Sequence, residues 1–122
     1  MPPKKVLVID DDPIARQILG AVLKKCNAEA LMAADAMAAL TLAQKHRPDL
    51  IILDLGLPAG GGYSVLKRLK MFPALSTIPV LVISGLNRAE NEPLALAAGA
   101  VGYIEKPATP EQLTAAIERL LG

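Results

Sequence analysis

The chain is short of aromatic side chains. Tyr63, Phe72 and Tyr103 are the whole set, and there is no tryptophan. That scarcity argues against ring platforms for nucleic-acid bases or flavins, which need exposed aromatics, and it requires an aliphatic core of Val, Ile, Leu and much Ala. Cysteine is represented by Cys26 alone, so no internal disulfide can form; this agrees with a reducing compartment, and a cytoplasmic location is expected. Neither sign of charge dominates. Thirteen basic and twelve acidic residues leave a net charge of +1, so bulk charge gives no reason to expect nucleic-acid or membrane binding. Long apolar runs are missing too: none approaches the ~18 residues of a membrane span. The four apolar residues after Met1-Pro2-Pro3-Lys4-Lys5 are too few for a signal-peptide core. A length of 122 residues suffices for one hydrophobic core and falls short of two, so one domain over residues 1–122 is expected.

What is present is a set of short aliphatic runs. Val6-Leu7-Val8-Ile9, Leu50-Ile51-Ile52-Leu53, Val80-Leu81-Val82-Ile83 and Val101-Gly102-Tyr103-Ile104 read as strands buried on both faces, the habit of parallel sheets. A weaker run lies at Glu29-Ala30-Leu31-Met32. Between the runs the apolar spacing turns helical. Ile14, Ile18, Leu19, Val22 and Leu23 share one helix face, after Asp12 as N-cap and Pro13 as first helical residue. Asp35 caps a segment with Ala36, Ala39, Leu40 and Ala43 on one side. Val65, Leu66 and Leu69 mark a third helix, and Thr109-Pro110-Glu111-Gln112 has the form of a capping box before Leu113, Ala116, Ile117, Leu120 and Leu121. The fourth helix is awkward, because Pro93 falls inside Asn87 to Ala98, where an interior proline costs ~3 kcal/mol. It is expected to start late, near Glu92-Pro93, or to have an irregular first turn. A strand–helix unit repeated five times gives an α/β fold with a doubly wound parallel sheet. No linker or low-complexity segment interrupts it, and no output domain is expected after the fifth helix.

In open α/β sheets, ligands bind at the carboxyl ends of the strands. The residues just after the aliphatic runs are Asp10-Asp11-Asp12, Asp54, Ser84 and, slightly later, Lys106. The second strand ends in Ala33-Ala34, which suits an edge strand outside the site and the order 2-1-3-4-5. Each polar residue has an ordinary alternative: Asp12 suits a helix cap, Ser84 a turn and Lys106 a solvated surface. Asp10 and Asp11 cannot both cap, and Asp54 precedes Leu55-Gly56-Leu57-Pro58, which is no helix start. Clustered carboxylates need a cation, and their oxygens suit Mg²⁺, or Mn²⁺ in its place. A carboxylate beside a metal, an ammonium and a hydroxyl is arranged to receive a phosphoryl group.

Taken in order, Val8-Ile9-Asp10-Asp11-Asp12-Pro13, Asp49 to Asp54 with Leu57-Pro58, Val82-Ile83-Ser84-Gly85, and Ala98-Gly99-Ala100 through Lys106-Pro107 resemble the receiver family of two-component response regulators over essentially the whole chain. The resemblance implies a flavodoxin-like (βα)5 fold and a set of roles. Asp54 would accept the phosphoryl group. Asp11, Asp54 and the backbone carbonyl of Gly56 would ligate the metal, with Asp10 acting through metal-bound water. Lys106 would bind a phosphoryl oxygen, and its bond to Pro107 would be cis. Ser84 would turn toward the phosphoryl group while Tyr103 changes rotamer. The implied partners are a sensor histidine kinase or histidine phosphotransfer protein, and a downstream target on the face of the fourth helix, fifth strand and fifth helix; direct nucleic-acid and membrane contacts are not expected.

The chain also departs from the family. Ala59-Gly60-Gly61-Gly62 stands where many relatives carry Asp before the last glycine, and three glycines suggest a permissive, mobile loop. Gly56 and Leu86 occupy positions that overlook the phosphoryl group in the family. His46 and Cys26 are given no chemistry. Three rivals remain on the sequence alone. A haloacid-dehalogenase-type phosphohydrolase would want a second Asp where Gly56 stands. An FMN-binding electron carrier would meet three acids where it needs a phosphate loop. A phosphorylation-independent interaction module would leave the acidic pair, Asp54, Ser84 and Lys106 without a purpose.

Overall fold

A computed structural model describes residues 2–58 and 61–122. Strands β1 (Lys4–Ile9), β2 (Ala28–Ala33), β3 (Leu50–Asp54), β4 (Val80–Ser84) and β5 (Gly102–Glu105) alternate with helices α1 (Pro13–Lys25), α2 (Ala36–His46), α3 (Gly61–Met71), α4 (Arg88–Ala97) and α5 (Pro110–Leu121). The strands form one sheet in the order β2-β1-β3-β4-β5, every pair parallel. This is the doubly wound α/β fold expected from the alternation of runs.

The aliphatic strands explain why the sheet is covered on both sides. Side chains alternate across a strand, so Leu7, Ile9, Ile51 and Leu53 pack with α2 and α3 through Ala39, Ala43, Val65, Leu66 and Leu69. Their neighbours Val6, Val8, Leu50 and Ile52 pack on the other face with Leu19, Val22 and Leu23 of α1 and with Leu113 and Ile117 of α5. Burying one such side chain stabilises the fold by roughly 1.5–3 kcal/mol. The two edge strands, β2 and β5, are the exceptions, only partly buried along most of their lengths.

Capping sets where the helices begin. The Asp12 carboxylate accepts from Ile14 N (3.0 Å) and that of Asp35 from Ala38 N (2.8 Å). Thr109 and Gln112 form the reciprocal capping box. Among the described residues no helix is long and apolar enough to cross a membrane.

Three expectations need correction. Helix α4 does not start late: it begins at Arg88, and its first turn is regular, with Asn87 Oδ1 accepting from Glu90 N (3.0 Å). Pro93 is tolerated in the interior because the carbonyl it leaves without a helical donor, that of Ala89, belongs to an exposed residue where solvent can replace the bond. The face drawn through α1 is only half core. Leu19, Val22 and Leu23 are buried, whereas Ile14 is 66% and Ile18 47% exposed and both line a depression with Pro107, Ala108 and Leu113. The glycine run is not simply a loop. Ala59 and Gly60 lie outside the described residues, but Gly61 and Gly62 form the first turn of α3. Gly62 is buried against the backbone of Leu55, where an added Cβ would stand 2.4 Å from Leu55 Cα.

Gly62 therefore permits a close approach that its neighbour does not need: among the described residues, the nearest neighbour of a Cβ at Gly61 would be Leu57 Cβ at 3.4 Å. We expect Gly62→Ala to lower the unfolding free energy by about 2–3 kcal/mol through overpacking. Gly61→Ala should be neutral or stabilising by up to about 1 kcal/mol through helix propensity. Urea titration of both variants checks this, and equal effects would contradict the packing argument.

Candidate functional site

The parallel order puts the ends of β1, β3, β4 and β5 side by side on one rim. Asp10 follows β1, Asp54 closes β3, Ser84 closes β4 and Lys106 follows β5. Within the sheet, Ile9 pairs with Leu53, Asp54 with Ile83, and Ser84 with Glu105, so the polar side chains arrive at one level. Asp10, Asp11 and Asp54 offer carboxylate oxygens that all lie within 4.8 Å of one another. Asp10 (2% exposed) and Asp54 (8%) are buried, and Asp11 is open to solvent. Lys106 Nζ reaches both buried acids, at 3.2 Å from Asp10 Oδ2 and 3.3 Å from Asp54 Oδ2. The remaining oxygens are held by backbone: Asp10 Oδ1 accepts from Asp12 N and Asp54 Oδ1 from Gly56 N, each at 2.9 Å. The Lys106–Pro107 peptide bond is cis.

The model of the response regulator receiver domain matches residues 6–118. The chain belongs to the response regulator receiver domain family. Among solved structures, this receiver superposes on the Vibrio cholerae chemotaxis protein CheY4 with a TM-score of 0.89, at 33% identity over 97% of this chain and 98% of that one. It is 30% identical to the polar-differentiation response regulator DivK of Brucella anthropi over 98% of both chains. It is 36% identical to the probable transcriptional regulator ycf27 of Cyanophora paradoxa over 97% of this chain and 48% of that protein. The chain spans about half or less of the length of the first curated relatives it matches.

The receiver's rim carries one ammonium against three carboxylates. Burial is the main cause that pushes the Asp54 carboxyl above the usual carboxylate range; the Gly56 N–H opposes it, Asp10 adds to it and Lys106 opposes it. Lys106 is subject to the reverse balance. Burial disfavours its charge, but Asp10 and Asp54 together raise its pKa above the ordinary lysine value. A cluster with this excess of negative charge and these oxygen donors fits a small divalent cation, because Lys106 alone does not neutralise it.

The structure brings together Asp10, Asp11, Asp54 and Lys106, with Gly56 beside Asp54. Ser84 reaches the same rim fully buried, but its Oγ accepts from Leu86 N (3.0 Å) in its own connection. Tyr103 lies in the core, and its Oη donates to Leu86 O (3.3 Å). Asp12 is occupied as the α1 cap. His46, given no chemistry above, is the last residue of α2. Sequence reasoning missed Arg16, whose Nη1 donates to the backbone carbonyl of Asp10 (2.8 Å) and fixes the turn that carries the acid pair. Its place, one turn into a helix that starts at this rim, was the available signal. It missed Tyr63 and Asn91 too, a pair 28 residues apart with no local pattern to join them.

The raised Asp54 pKa has a stability consequence. Folded Asp54 holds a proton more readily than the unfolded chain does, so its penalty is absent at low pH and grows as pH rises through the folded pKa. In metal-free buffer, Asp54→Asn should therefore raise the Tm at pH 7–8 by a few degrees, corresponding to a ΔΔG on the order of 1 kcal/mol. The gain should fade as the pH is lowered toward the carboxylate range. Scanning calorimetry of both proteins across pH tests the sign, and a variant less stable at pH 8 would refute it.

Proposed function

We propose that residues 1–122 act as one phosphoacceptor receiver domain, a signalling switch that takes a phosphoryl group from a phosphohistidine on a sensor kinase or phosphotransfer protein. The observation that carries this reading is the meeting of Asp54 with Asp10, Asp11 and Lys106 on one rim. Asp54 is the acceptor. One of its oxygens attacks the phosphorus in line, the phosphorus–nitrogen bond to the histidine breaks, and an acyl phosphate forms. Asp11, Asp54 and the Gly56 carbonyl would hold Mg²⁺, with Asp10 at its hydration shell; Mn²⁺ has the same donors available. When bound, the cation neutralises charge on the phosphoryl oxygens. Lys106 stays between Asp10 and the new phosphoryl group, and water later hydrolyses the acyl phosphate.

Output in this reading is a population shift. Ser84 Oγ leaves Leu86 N for a phosphoryl oxygen, and Tyr103 changes rotamer on the α4–β5–α5 face. That face carries a depression of about 500 Å³ whose lining includes Arg88, Tyr103, Glu105, Gln112 and Arg119, and it is the surface proposed for the downstream target. For the phosphohistidine partner the supporting feature is on α1. The exposed Ile14 and Ile18, with Lys106, Pro107 and Leu113, line a depression of about 370 Å³ that reaches Asp10. Apolar side chains open to solvent beside the reactive carboxylate suit a protein surface delivering the donor. The transcriptional regulation that names the relative ycf27 belongs to a protein of which this chain spans 48% and is not carried over.

Treatment with acetyl phosphate, followed by intact mass, should give a single phosphate adduct that requires Mg²⁺ and is lost in Asp54→Asn. Lys106→Ala should reduce the rate at least tenfold. An adduct that persists in Asp54→Asn would overturn the assignment of the acceptor.

A further inference from the structure

The connection from β4 to α4 is held from two sides. Ser84 Oγ accepts from Leu86 N, and Leu86 O in turn accepts from Tyr103 Oη. The next residue, Asn87, caps α4, and its carbonyl accepts from both the backbone N (3.0 Å) and the side-chain Nδ2 (2.8 Å) of Asn91. Asn91 is tied in turn to α3, because Tyr63 Oη donates to its Oδ1 at 2.7 Å. Tyr63 is half-buried, and burial is the main cause that keeps its phenol above the usual tyrosine pKa, so it stays a donor. Both tyrosines of the chain therefore grip one short segment, Tyr103 from β5 and Tyr63 from α3.

This network bears on the switch because the Ser84 hydroxyl accepts from Leu86 N inside the same connection, so the conformation of Gly85–Asn87 and the setting of that hydroxyl are joined. The far end of the segment is anchored through Asn87 and Asn91 to Tyr63. Further along α4, Pro93 supplies no N–H to the Ala89 carbonyl, so the first turn depends more than usual on its side-chain ties.

We propose that Tyr63 is a positioning residue for the switch: through Asn91 and Asn87 it holds the β4–α4 connection in the conformer in which Ser84 Oγ accepts from Leu86 N. The proposal rests on the phosphoacceptor reading given above. Among the described residues Tyr63 hydrogen-bonds to Asn91 and to none of Asp10, Asp11, Asp54 and Lys106, so its effect is on the balance between conformers. Breaking the tie removes one neutral hydrogen bond from the resting conformer, and the phosphoryl-bound conformer becomes correspondingly easier to reach.

The test is calorimetric titration of the full chain with beryllofluoride, a phosphoryl mimic, in the presence of Mg²⁺. Tyr63→Phe keeps the ring and removes the donor. It should bind beryllofluoride about 2- to 10-fold more tightly, the weight of one such bond, with unchanged affinity for Mg²⁺ alone. Asn91→Ala should give a similar gain, and the double variant should add little to either. In protein labelled with 3-fluorotyrosine, the Tyr103 signal of Tyr63→Phe should move toward its beryllofluoride-bound position before any ligand is added. If the unsubstituted protein does not bind beryllofluoride, the phosphoacceptor reading fails and this inference with it. If that protein binds normally and Tyr63→Phe binds equally or less tightly, the inference alone fails. A variant that loses both Mg²⁺ and beryllofluoride affinity assigns Tyr63 a merely structural role and likewise overturns it.

Discussion

Two carboxylates, Asp10 and Asp54, are buried at the ends of neighbouring aliphatic strands, and a single ammonium, Lys106, stands 3.2 and 3.3 Å from them. In a poorly hydrated rim such a pair repels unless a positive charge is shared. The chain supplies that charge from β5, which the sheet order places two strands away from β3 on the far side of β4. The requirement reaches back through the fold. β1, β3 and β4 must be adjacent, their ends must be level, and the turn after β5 must bring Lys106 back across the rim. Arg16 bonds the Asp10 carbonyl, and Gly56 and Asp12 bond the spare carboxylate oxygens. Each of these contacts serves the same local imbalance of charge.

The sheet and its order were readable because the strands are short, aliphatic and separated by capped helical segments, and because the second strand alone ends without polar residues. Asp10, Asp11, Asp54 and Lys106 were readable as a group for the same reason: a parallel sheet turns chain position into spatial position. What escaped depends on contacts between elements distant in sequence. Nothing local in α1 says that Ile14 and Ile18 stay open to solvent while Leu19, Val22 and Leu23 are buried. The glycine run suggested looseness, whereas Gly62 is required by the backbone of Leu55 lying against it. Pro93 was read by its cost in an average helix, but the carbonyl it deprives is exposed and the cap at Asn87 is strong.

The site residues also divide into two mechanical classes. Asp10 follows β1 and Asp54 closes β3, strands whose inner residues are buried on both faces. Ser84 is buried too, but among the described residues its hydroxyl bonds to the connection that follows it. The Asp54 carboxylate is thus tied by Lys106 and the Gly56 N–H, and the Ser84 hydroxyl by a connection whose Leu86 is 41% exposed. In the proposed switch, this division would keep the acceptor in place while the signalling surface moves.

Pro93 gives the moving half a boundary. In an uninterrupted helix each turn is coupled to the next through its hydrogen-bond ladder, so a rotation at one end is carried along its length. In α4 the ladder lacks the rung from residue 93 to Ala89, and the residues before and after it are joined by one bond fewer. A displacement begun at Asn87 can therefore be absorbed within the first turn, leaving Ala95, the buried residue of this helix, seated on the sheet. In the proposed switch the reach of the conformational signal would be set by this missing donor, and a partner sensitive to it would have to touch the leading turn of α4 and not its trailing end.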